Sequence, residues 1–488
     1  MKIQWWFLCA VALTLAGCSG SIPFRSGALD EDASCAARYA AYDQRRNEAT
    51  PLGDAEAEHP CWQRSVEEHP AYDLLIAEFS DQGWIHDTAS LDRPAQDYLD
   101  RFLKKLREMH RNWAGQGQGL SLFVYVHGWH HDARAADADM VDFRRFLADM
   151  SELETTLSRE TGARRRVLGI YVGWRGESIR APGLNVLTFW DRKNTAERVA
   201  LGSTRELLER LDYFRDRSRD KAGKRDVRML TIGHSFGGLV TFAAMGPQFL
   251  RAAIRLKESK PGNKKDNYVS RVGDLVVIVN PAIEGARYEP LHTAGQRMCG
   301  VEANQLPVMV VATTAADWAT GTFFPLARRF STLLESSPGQ EGDAVVKAVG
   351  HNERYITHEL SLCAKGDASC AASCPVASFQ PQSQAKVGTL ADSAILREYR
   401  YMKPFADGGF GTRTYLCGGL DLRSTRQWSP QGNPFWVVRT TEDIMGGHGD
   451  IFNPNFVAFF RQLYLGFIHA RQHTPPDGVE NNPCEPES

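Results

Sequence analysis

The residues best suited to chemistry in this sequence lie in one short motif, GHSFG at residues 233–237. A predicted strand at residues 227–232 leads into it, and an apolar helical pattern over residues 237–254 follows it. A sharp turn between a strand and a helix exposes a serine hydroxyl, and the glycines leave room where a Cβ would clash. Free backbone amides at the start of the helix would face an oxyanion formed at Ser235. The motif therefore predicts a serine nucleophile.

The elements around this motif alternate between strands and helices. Apolar runs predict strands, and apolar residues at a period of 3.6 predict helices. The predicted strands cover residues 120–127, 167–172, 227–232, 275–279, 308–312 and 435–439, and the predicted helices cover residues 95–113, 137–157, 195–214, 237–254 and 455–468. This alternation implies right-handed crossovers and an α/β fold with a mainly parallel sheet flanked by helices. Active sites in such sheets lie at the carboxyl ends of the strands.

The same pattern divides the chain into segments. Residues 95–330 and 429–472 are predicted to form one α/β core, and residues 331–428 an insertion that contains cysteines and separates the last two strands. Residues 18–94 are predicted to be a tether followed by an irregular segment, and residues 473–488 a tail. The sequence has no fixed internal period, which argues against a repeat architecture.

The overall composition excludes several classes of protein. Of 488 residues, 43% are hydrophobic and 24% are charged, as in an ordinary folded protein. A chain that is disordered, collagen-like or coiled coil throughout is therefore excluded. Lys and Arg number 57 against 59 Asp and Glu, which gives a formal net charge of −2. This balance gives no sign of a nucleic-acid partner.

Four motifs follow one another along the chain: HGW at residues 127–129, VGWRG at 172–176, FWDRKNTAERV at 189–199 and GHSFGG at 233–238. Taken together they resemble the α/β-hydrolase superfamily over roughly residues 120–468, the insertion excepted. In this order they are similar to motifs of uncharacterised bacterial serine esterases. The resemblance implies an α/β-hydrolase fold and ester hydrolysis without a cofactor, and it gives no substrate.

The resemblance also implies an oxyanion hole. In this superfamily a His-Gly turn after an early strand and the residue after the nucleophile each donate one backbone N–H to the oxyanion. Carried onto this chain, these donors are Trp129 and Phe236, and His127 is expected to order the turn. A metal site built from His127, His130 and Asp132 is the alternative for this turn. Its spacing matches no metal-binding motif, so no metal is expected.

The superfamily places its acid between the serine and the histidine in the chain. A serine hydroxyl needs a histidine to take its proton, and that histidine needs a carboxylate to fix its tautomer. His448 lies in a glycine-rich loop between the last strand and the last helix and is the predicted base. Asp317 follows a late strand and is the predicted acid, although it also suits a helix N-cap. Glu284 is the rival acid, after the preceding strand. Two histidines of the insertion are weaker alternatives for the base, His351 and His358.

An apolar segment at residues 182–190 follows the second strand pattern of the core. In this fold such a segment passes near the rim of the active site. Two interpretations stay open: an acyl pocket or lid, and simple packing under the helix that follows.

The first eighteen residues predict a lipid anchor. Lys2 precedes an apolar stretch at residues 3–15, which is too short to span a bilayer because a spanning helix needs about 20 residues. The stretch ends in LAGC, which resembles the bacterial lipobox and implies removal of residues 1–17 and lipid attachment to Cys18. Ser19 stands where an aspartate would favour the inner membrane. We therefore expect a lipoprotein of the bacterial cell envelope, at the outer membrane.

Eight of the ten cysteines lie beyond Cys18. An even number in an oxidising compartment predicts up to four disulfides, and Cys35 with Cys61 is a plausible local pair. Three cysteines lie in one loop of small residues, so at least one must pair elsewhere: Cys363, Cys370 and Cys374. The spacing lacks two CxxC pairs, which leaves structural zinc as a minor alternative.

These observations lead to one leading hypothesis about function. The chain is predicted to be a lipid-anchored serine hydrolase that cleaves carboxylic esters through an acyl-enzyme, with an ester substrate and the membrane as its partners. The alternatives are a lipase or phospholipase that acts on membrane lipids, an amidase or peptidase, and a non-catalytic surface-binding lipoprotein.

Overall fold

The computed structural model describes residues 22–86, 95–176, 189–220, 223–258, 271–298, 305–332, 339–373, 412–425 and 432–472. The predicted signal peptide, Cys18 and the tail at residues 473–488 lie outside the described residues, and so does most of the apolar segment at residues 182–190.

One sheet of eleven strands runs through the described part of the chain, in the order β1-β2-β4-β3-β5-β6-β7-β11-β8-β10-β9. The strands are β1 (Val66–Glu68), β2 (Tyr72–Phe79), β3 (Gly119–Val126), β4 (Arg165–Trp174), β5 (Val227–His234), β6 (Leu275–Val279), β7 (Met309–Thr314), β8 (His358–Leu362), β9 (Arg413–Leu416), β10 (Leu420–Ser424) and β11 (Phe435–Thr440). Neighbours from β2 to β8 are parallel, and the outer pairs are antiparallel.

Helices cover both faces of this sheet. They are α1 (Ala36–Arg45), α2 (Asp54–Ala57), α3 (Ala95–Gly115), α4 (Ala138–Thr161), α5 (Phe189–Leu201), α6 (Ser203–Arg217), α7 (Phe236–Glu258), α8 (Gly285–Gln296), α9 (Phe324–Ser331), α10 (Gly339–Val346), α11 (Ala368–Ser373) and α12 (Pro454–Gln472). One apolar cluster packs α3 and α5 to α8 on one face, and a second packs α4 and α12 on the other. Alternate residues of β3 supply the two clusters, because side chains along a strand point to opposite faces. The predicted mainly parallel sheet flanked by helices is confirmed.

The prediction of a single helix at residues 195–214 is wrong. The chain forms two helices, α5 and α6, which are separated at Gly202. A turn of the N-terminal segment lies against this break, where the N–H of Ser203 donates to the carbonyl of Gly83. A Cβ on Gly202 would lie 2.4 Å from the carbonyl oxygen of Gly83. The break therefore depends on a contact between distant parts of the chain.

The N-terminal segment is more ordered than the tether and irregular stretch predicted for residues 18–94. Strand β2 is buried at every position and pairs in parallel with β4. Its apolar run is interrupted by Asp73, which pairs with Arg166, and by Glu78, whose carboxylate accepts the backbone N–H groups of Phe24 and Arg25. Because these two acids interrupt the apolar run, the sequence pattern does not predict this strand.

Arg25 fixes the start of the described chain to the core. Its side chain is 3% exposed and donates to the carbonyl of Ala133 at 2.7 Å. It also pairs with Glu67, a buried carboxylate that pairs with Arg144 of α4. The predicted tether is therefore part of the folded body from Arg25 onward.

The predicted insertion, residues 331–428, supplies strands to the same sheet. Strand β8 pairs in parallel with β11, and β10 and β9 extend the edge beyond it. The predicted disulfide between Cys35 and Cys61 is confirmed, with Cα atoms 5.5 Å apart. A second disulfide joins Cys363 to Cys370. Cys417 is also disulfide-bonded.

A search of the described helices for a membrane span finds none with the length and apolar character to cross a bilayer.

Candidate active site

The predicted site residues meet at the carboxyl edge of the sheet. Ser235 directly follows β5, Asp317 lies three residues beyond β7, and His448 lies in the loop after β11. Because these strands run parallel, their carboxyl ends share one edge, and the loops that leave them can converge.

The backbone at Ser235 is strained. Its φ is +55°, a left-handed value that is uncommon for residues other than glycine. The turn is held because the N–H of Ser235 donates to the carbonyl of Val279 at 3.0 Å. Close packing also requires the glycines of the motif, since a Cβ on Gly237 would lie 2.1 Å from the carbonyl oxygen of Val126. Such strain costs about 1–3 kcal/mol and persists only where the surroundings enforce it.

The side chains of Ser235, His448 and Asp317 form one hydrogen-bonded row. The distance from Ser235 Oγ to His448 Nε2 is 2.8 Å, and His448 Nδ1 lies 2.9 Å from each carboxylate oxygen of Asp317. An ionised carboxylate only accepts hydrogen bonds, so Nδ1 carries the proton. In the neutral imidazole Nε2 then accepts the hydroxyl proton of Ser235, which is the arrangement that a general base requires.

The carboxylate of Asp317 is only 1% exposed, yet it stays ionised. Burial raises its pKa, but the hydrogen bond and charge of His448 and the two donors of Thr320 outweigh burial and bring the pKa below its ordinary value. The amide of Thr320 donates to one oxygen at 3.0 Å, and the hydroxyl donates to the other. Asp317 therefore makes two contacts at once. It caps the helical turn through the amide of Thr320, the role predicted as the alternative, and it also contacts His448.

The row extends one step beyond the acid. Because the hydroxyl proton of Thr320 points to Asp317, its oxygen accepts from Nε2 of His351, 3.0 Å away. His351, predicted as an alternative base, therefore lies behind the acid.

The loop that carries His448 is held by its own backbone carbonyl. This carbonyl accepts from Nε2 of His234 at 2.9 Å and from the side-chain amide of Asn280 at 2.9 Å. Asn280 directly follows β6 and has a φ of +45°, a conformation that asparagine tolerates better than most residues. Sequence reasoning missed both roles, although His234 lies inside the motif and Asn280 follows a predicted strand.

The turn with the predicted oxyanion donors packs against the serine. A Cβ on Gly128 would lie 2.8 Å from Cβ of Ser235. His127 orders this turn as expected: its Nδ1–H donates to the carbonyl of Gly128, and its Nε2 accepts from the N–H of Trp174. Burial lowers the pKa of His127, so the ring is neutral.

The two predicted donors, Trp129 and Phe236, lie side by side, with ring centroids 6.1 Å apart. Phe236 is the first residue of α7, where backbone amides have no acceptor within the helix. Both nitrogens of His127 are used in the hydrogen bonds above, and Asp132 pairs with Arg134. A search of the described residues finds no group of three or more His, Cys, Asp or Glu side chains that could hold a metal ion.

The structure brings Asp317 to His448 and gives Glu284 other partners. Glu284 is a buried carboxylate that pairs with Lys193 and Arg287, each at 2.9 Å. His358, the other alternative base, begins β8, and its ring packs at a tilt against Trp436 of β11, with centroids 4.3 Å apart.

Sequence comparisons give no match for this chain, and structural comparison gives a weak match. No protein-family profile matches this chain, and no curated protein matches it. Among solved structures, it matches the phospholipase PlaB from Legionella pneumophila in complex with thio-NAD, with a TM-score of 0.21 and 14% sequence identity. The match covers 50% of this chain and 46% of the phospholipase chain. A match at this TM-score supports no inference about the fold or activity of this chain.

Replacement of Asp317 tests the assignment of the acid. If Asp317→Asn removes the charge and tautomer support of His448, kcat for ester hydrolysis should fall by roughly 10³–10⁴-fold. Glu284→Gln should keep near-normal turnover, because Glu284 contacts cations rather than His448. Steady-state kinetics on a short-chain ester with both purified variants decides between them. An inactive Glu284→Gln beside an active Asp317→Asn would reverse the assignment.

Replacement of Thr320 tests the hydroxyl behind the acid. In Thr320→Val the hydroxyl donor is lost, so the pKa of Asp317 rises and its carboxylate stabilises the imidazolium of His448 more strongly. The acid limb of the kcat/KM profile should then move to higher pH by about 0.5–1 unit, since a hydrogen bond to a charged group contributes about 1.5–3 kcal/mol and only part of it reaches His448. Thr320→Ser keeps the hydroxyl and should retain the wild-type profile. Identical profiles for the two variants would exclude this role.

Proposed function

We propose that this chain is a serine hydrolase with an α/β-hydrolase fold, and that it cleaves carboxylic esters through an acyl-enzyme. The observation that carries the proposal is the hydrogen-bonded row from Ser235 through His448 to Asp317 at the carboxyl edge of a parallel sheet. The left-handed backbone at the serine and the order of the three residues along the chain support the same class of enzyme.

The reaction follows from these contacts. Oγ of Ser235 attacks the ester carbonyl while its proton passes to Nε2 of His448, and Asp317 stabilises the imidazolium. The negative charge that develops on the carbonyl oxygen is met by the backbone N–H groups of Trp129 and Phe236. Loss of one such donor typically costs about 3–4 kcal/mol. As the ester C–O bond breaks, Nε2–H protonates the leaving alkoxide. Water then attacks the acyl-enzyme, with His448 as the base, and releases the acid and the free serine.

A serine, histidine and carboxylate in contact do not by themselves select the leaving group, so an amidase or peptidase would use the same residues. The motifs that resemble serine esterases favour an ester. A non-catalytic binding lipoprotein would have no need for the 2.8 Å and 2.9 Å contacts of His448 or for the strain at Ser235.

Loss of the nucleophile or the base should abolish most of the activity. Ser235→Ala and His448→Ala should each lower kcat by at least about 10³-fold, and the double variant should lose little more, because the two groups act as a unit. A fluorophosphonate probe should label the wild type and fail to label Ser235→Ala. Ser158→Ala is the matched control, since this serine lies on α4 and its hydroxyl donates to a carbonyl of the same helix. Full activity in Ser235→Ala would refute the proposed function.

We also propose that the mature protein is anchored in the outer membrane of the bacterial envelope through lipid on Cys18. The proposal rests on the LAGC sequence at residues 15–18 and the apolar stretch before it. The disulfides among the described cysteines agree with an oxidising compartment.

Replacement of the anchoring cysteine tests the lipid. Cys18→Ala in the full-length chain should leave the protein unprocessed or soluble, without labelled fatty acid, because the thiol that would carry the lipid is absent. Metabolic labelling with palmitate and cell fractionation measure this, with Cys9→Ala as the control that should still be labelled. Continued labelling of Cys18→Ala would contradict the anchor.

A further inference from the structure

Four aromatic rings stack in a row beside Ser235. From one end the row consists of His130, Trp129, Phe323 and Trp318, with successive ring centroids 4.0, 6.4 and 5.8 Å apart. Successive planes are inclined by only 26°, 18° and 29°. We call these four residues the ring ladder. Its members come from two segments far apart in the sequence, the turn after β3 and the helical turn at Ala319–Phe323 with the residue before it. The tertiary fold therefore brings the four rings together.

The ring ladder lies next to the groups that would carry out the reaction. Trp129 belongs to the turn that packs against Ser235, and its ring contacts that of Phe236, the residue after the serine. At the other end, Trp318 directly follows Asp317. The ladder therefore joins the turn of the predicted oxyanion donors to the turn of the predicted acid.

One side of the ladder is supported by the core, and the residues at both ends, His130 and Trp318, are exposed to solvent. The ring of Phe189 packs edge-on against both Trp129 and Phe323, at 5.5 and 5.2 Å. Both inner rings are half-buried, which fixes their positions. Trp318 is 66% exposed, so it leaves a large apolar surface in water at the rim of the site. A ligand that covers this surface gains free energy in proportion to the apolar area removed from water.

The indole N–H of Trp129 supplies a second sign of a ligand. It is enclosed, and none of the described residues provides an acceptor for it. A buried donor without an acceptor is costly, and an oxygen atom of a bound molecule would satisfy it. This donor lies in the ring ladder, and its residue directly follows Gly128, which packs against Ser235.

We infer that the ring ladder binds the apolar chain of the substrate, and that the substrate class is esters with a long alkyl chain. The inference rests on the proposed serine hydrolase function. A row of stacked rings is an elongated apolar surface, which suits an extended chain better than a compact group. The carbonyl lies at Ser235, and the chain extends along the rings toward Trp318. The chain can belong to the acyl part or to the alcohol part of the ester, and both present the same surface.

The test compares chain-length selectivity in the full folded protein. One series holds p-nitrophenol as the leaving group and varies the acyl chain from acetyl to octanoyl. A second series holds acetate and varies the alcohol from ethyl to octyl. All substrates are used below their critical micelle concentrations, so that adsorption to aggregates does not contribute. The series in which the wild type prefers the long chain identifies the part of the ester that lies on the ladder.

In Trp318→Ala the ratio of kcat/KM for the long-chain ester to that for the short-chain ester should fall roughly tenfold, equivalent to about 1.4 kcal/mol. The change should lie mainly in KM, because a chain contact is made equally in the ground state and the transition state. Trp318→Phe keeps an apolar ring and should recover most of the selectivity. Tyr213→Ala is the matched control, because this ring is 64% exposed, much like that of Trp318. Tyr213 lies toward the opposite edge of the sheet, since nearby Arg215 pairs with Asp274, which directly precedes β6.

Two results would overturn the inference. One is an unchanged selectivity ratio in Trp318→Ala, and an unchanged ratio with an equal loss of kcat/KM on short and long chains would mean that the ring only supports Asp317. A wild type without chain-length preference in either series would also refute it. Failure of the proposed function gives a different result, since the wild type would then hydrolyse neither acetyl nor octanoyl esters and would not react with a fluorophosphonate.

Discussion

The site depends on one buried negative charge, the carboxylate of Asp317. The carboxylate of Asp317 is almost fully buried, and burial alone would favour its neutral form. The imidazole of His448 and the two donors of Thr320 make the ionised form the stable one. Each group constrains the next: the charge fixes the tautomer of His448, and the tautomer leaves Nε2 free to accept from Ser235. Any change that leaves this carboxylate without its donors disturbs the whole row.

The parallel sheet brings Ser235, His448 and Asp317 together without long connecting loops. Neighbouring strands end at one edge, so short loops bring together residues that are more than 200 positions apart, such as Ser235 and His448. The loops are then fixed by polar contacts made at the same edge, of which the two donors to the backbone carbonyl of His448 are the clearest. Asn280 links three strand ends, since its side-chain oxygen also accepts the N–H of Thr314 at the end of β7. These contacts fix the loop of His448 to the ends of β5, β6 and β7.

Much of the core could be predicted from the sequence, because buried parallel strands are continuous apolar runs and their helices are amphipathic. Strand β6 has the bounds expected from its apolar run. The position of Ser235 at a turn between a strand and a helix was also predictable, since the GxSxG motif follows an apolar run and precedes an apolar helical pattern. Strand β2 was missed because Asp73 and Glu78 interrupt its apolar pattern, and their partners are up to 93 residues away. Thr320 and Asn280 were missed for a similar reason: hydrogen-bonding roles set by tertiary contacts leave no local pattern.

If Cys18 carries lipid, the burial of Arg25 limits how far the folded body can lie from the membrane. Arg25 follows Cys18 by seven residue steps, with six residues between them, and a fully extended chain spans at most about 25 Å over those steps. With lipid on Cys18, the segment between the lipid and the folded part of the chain would be a tether shorter than the hydrocarbon core of the bilayer, which is about 30 Å thick. The folded body would then stay next to the membrane surface. Molecules that partition into the membrane would meet it at a higher local concentration than molecules in the surrounding fluid.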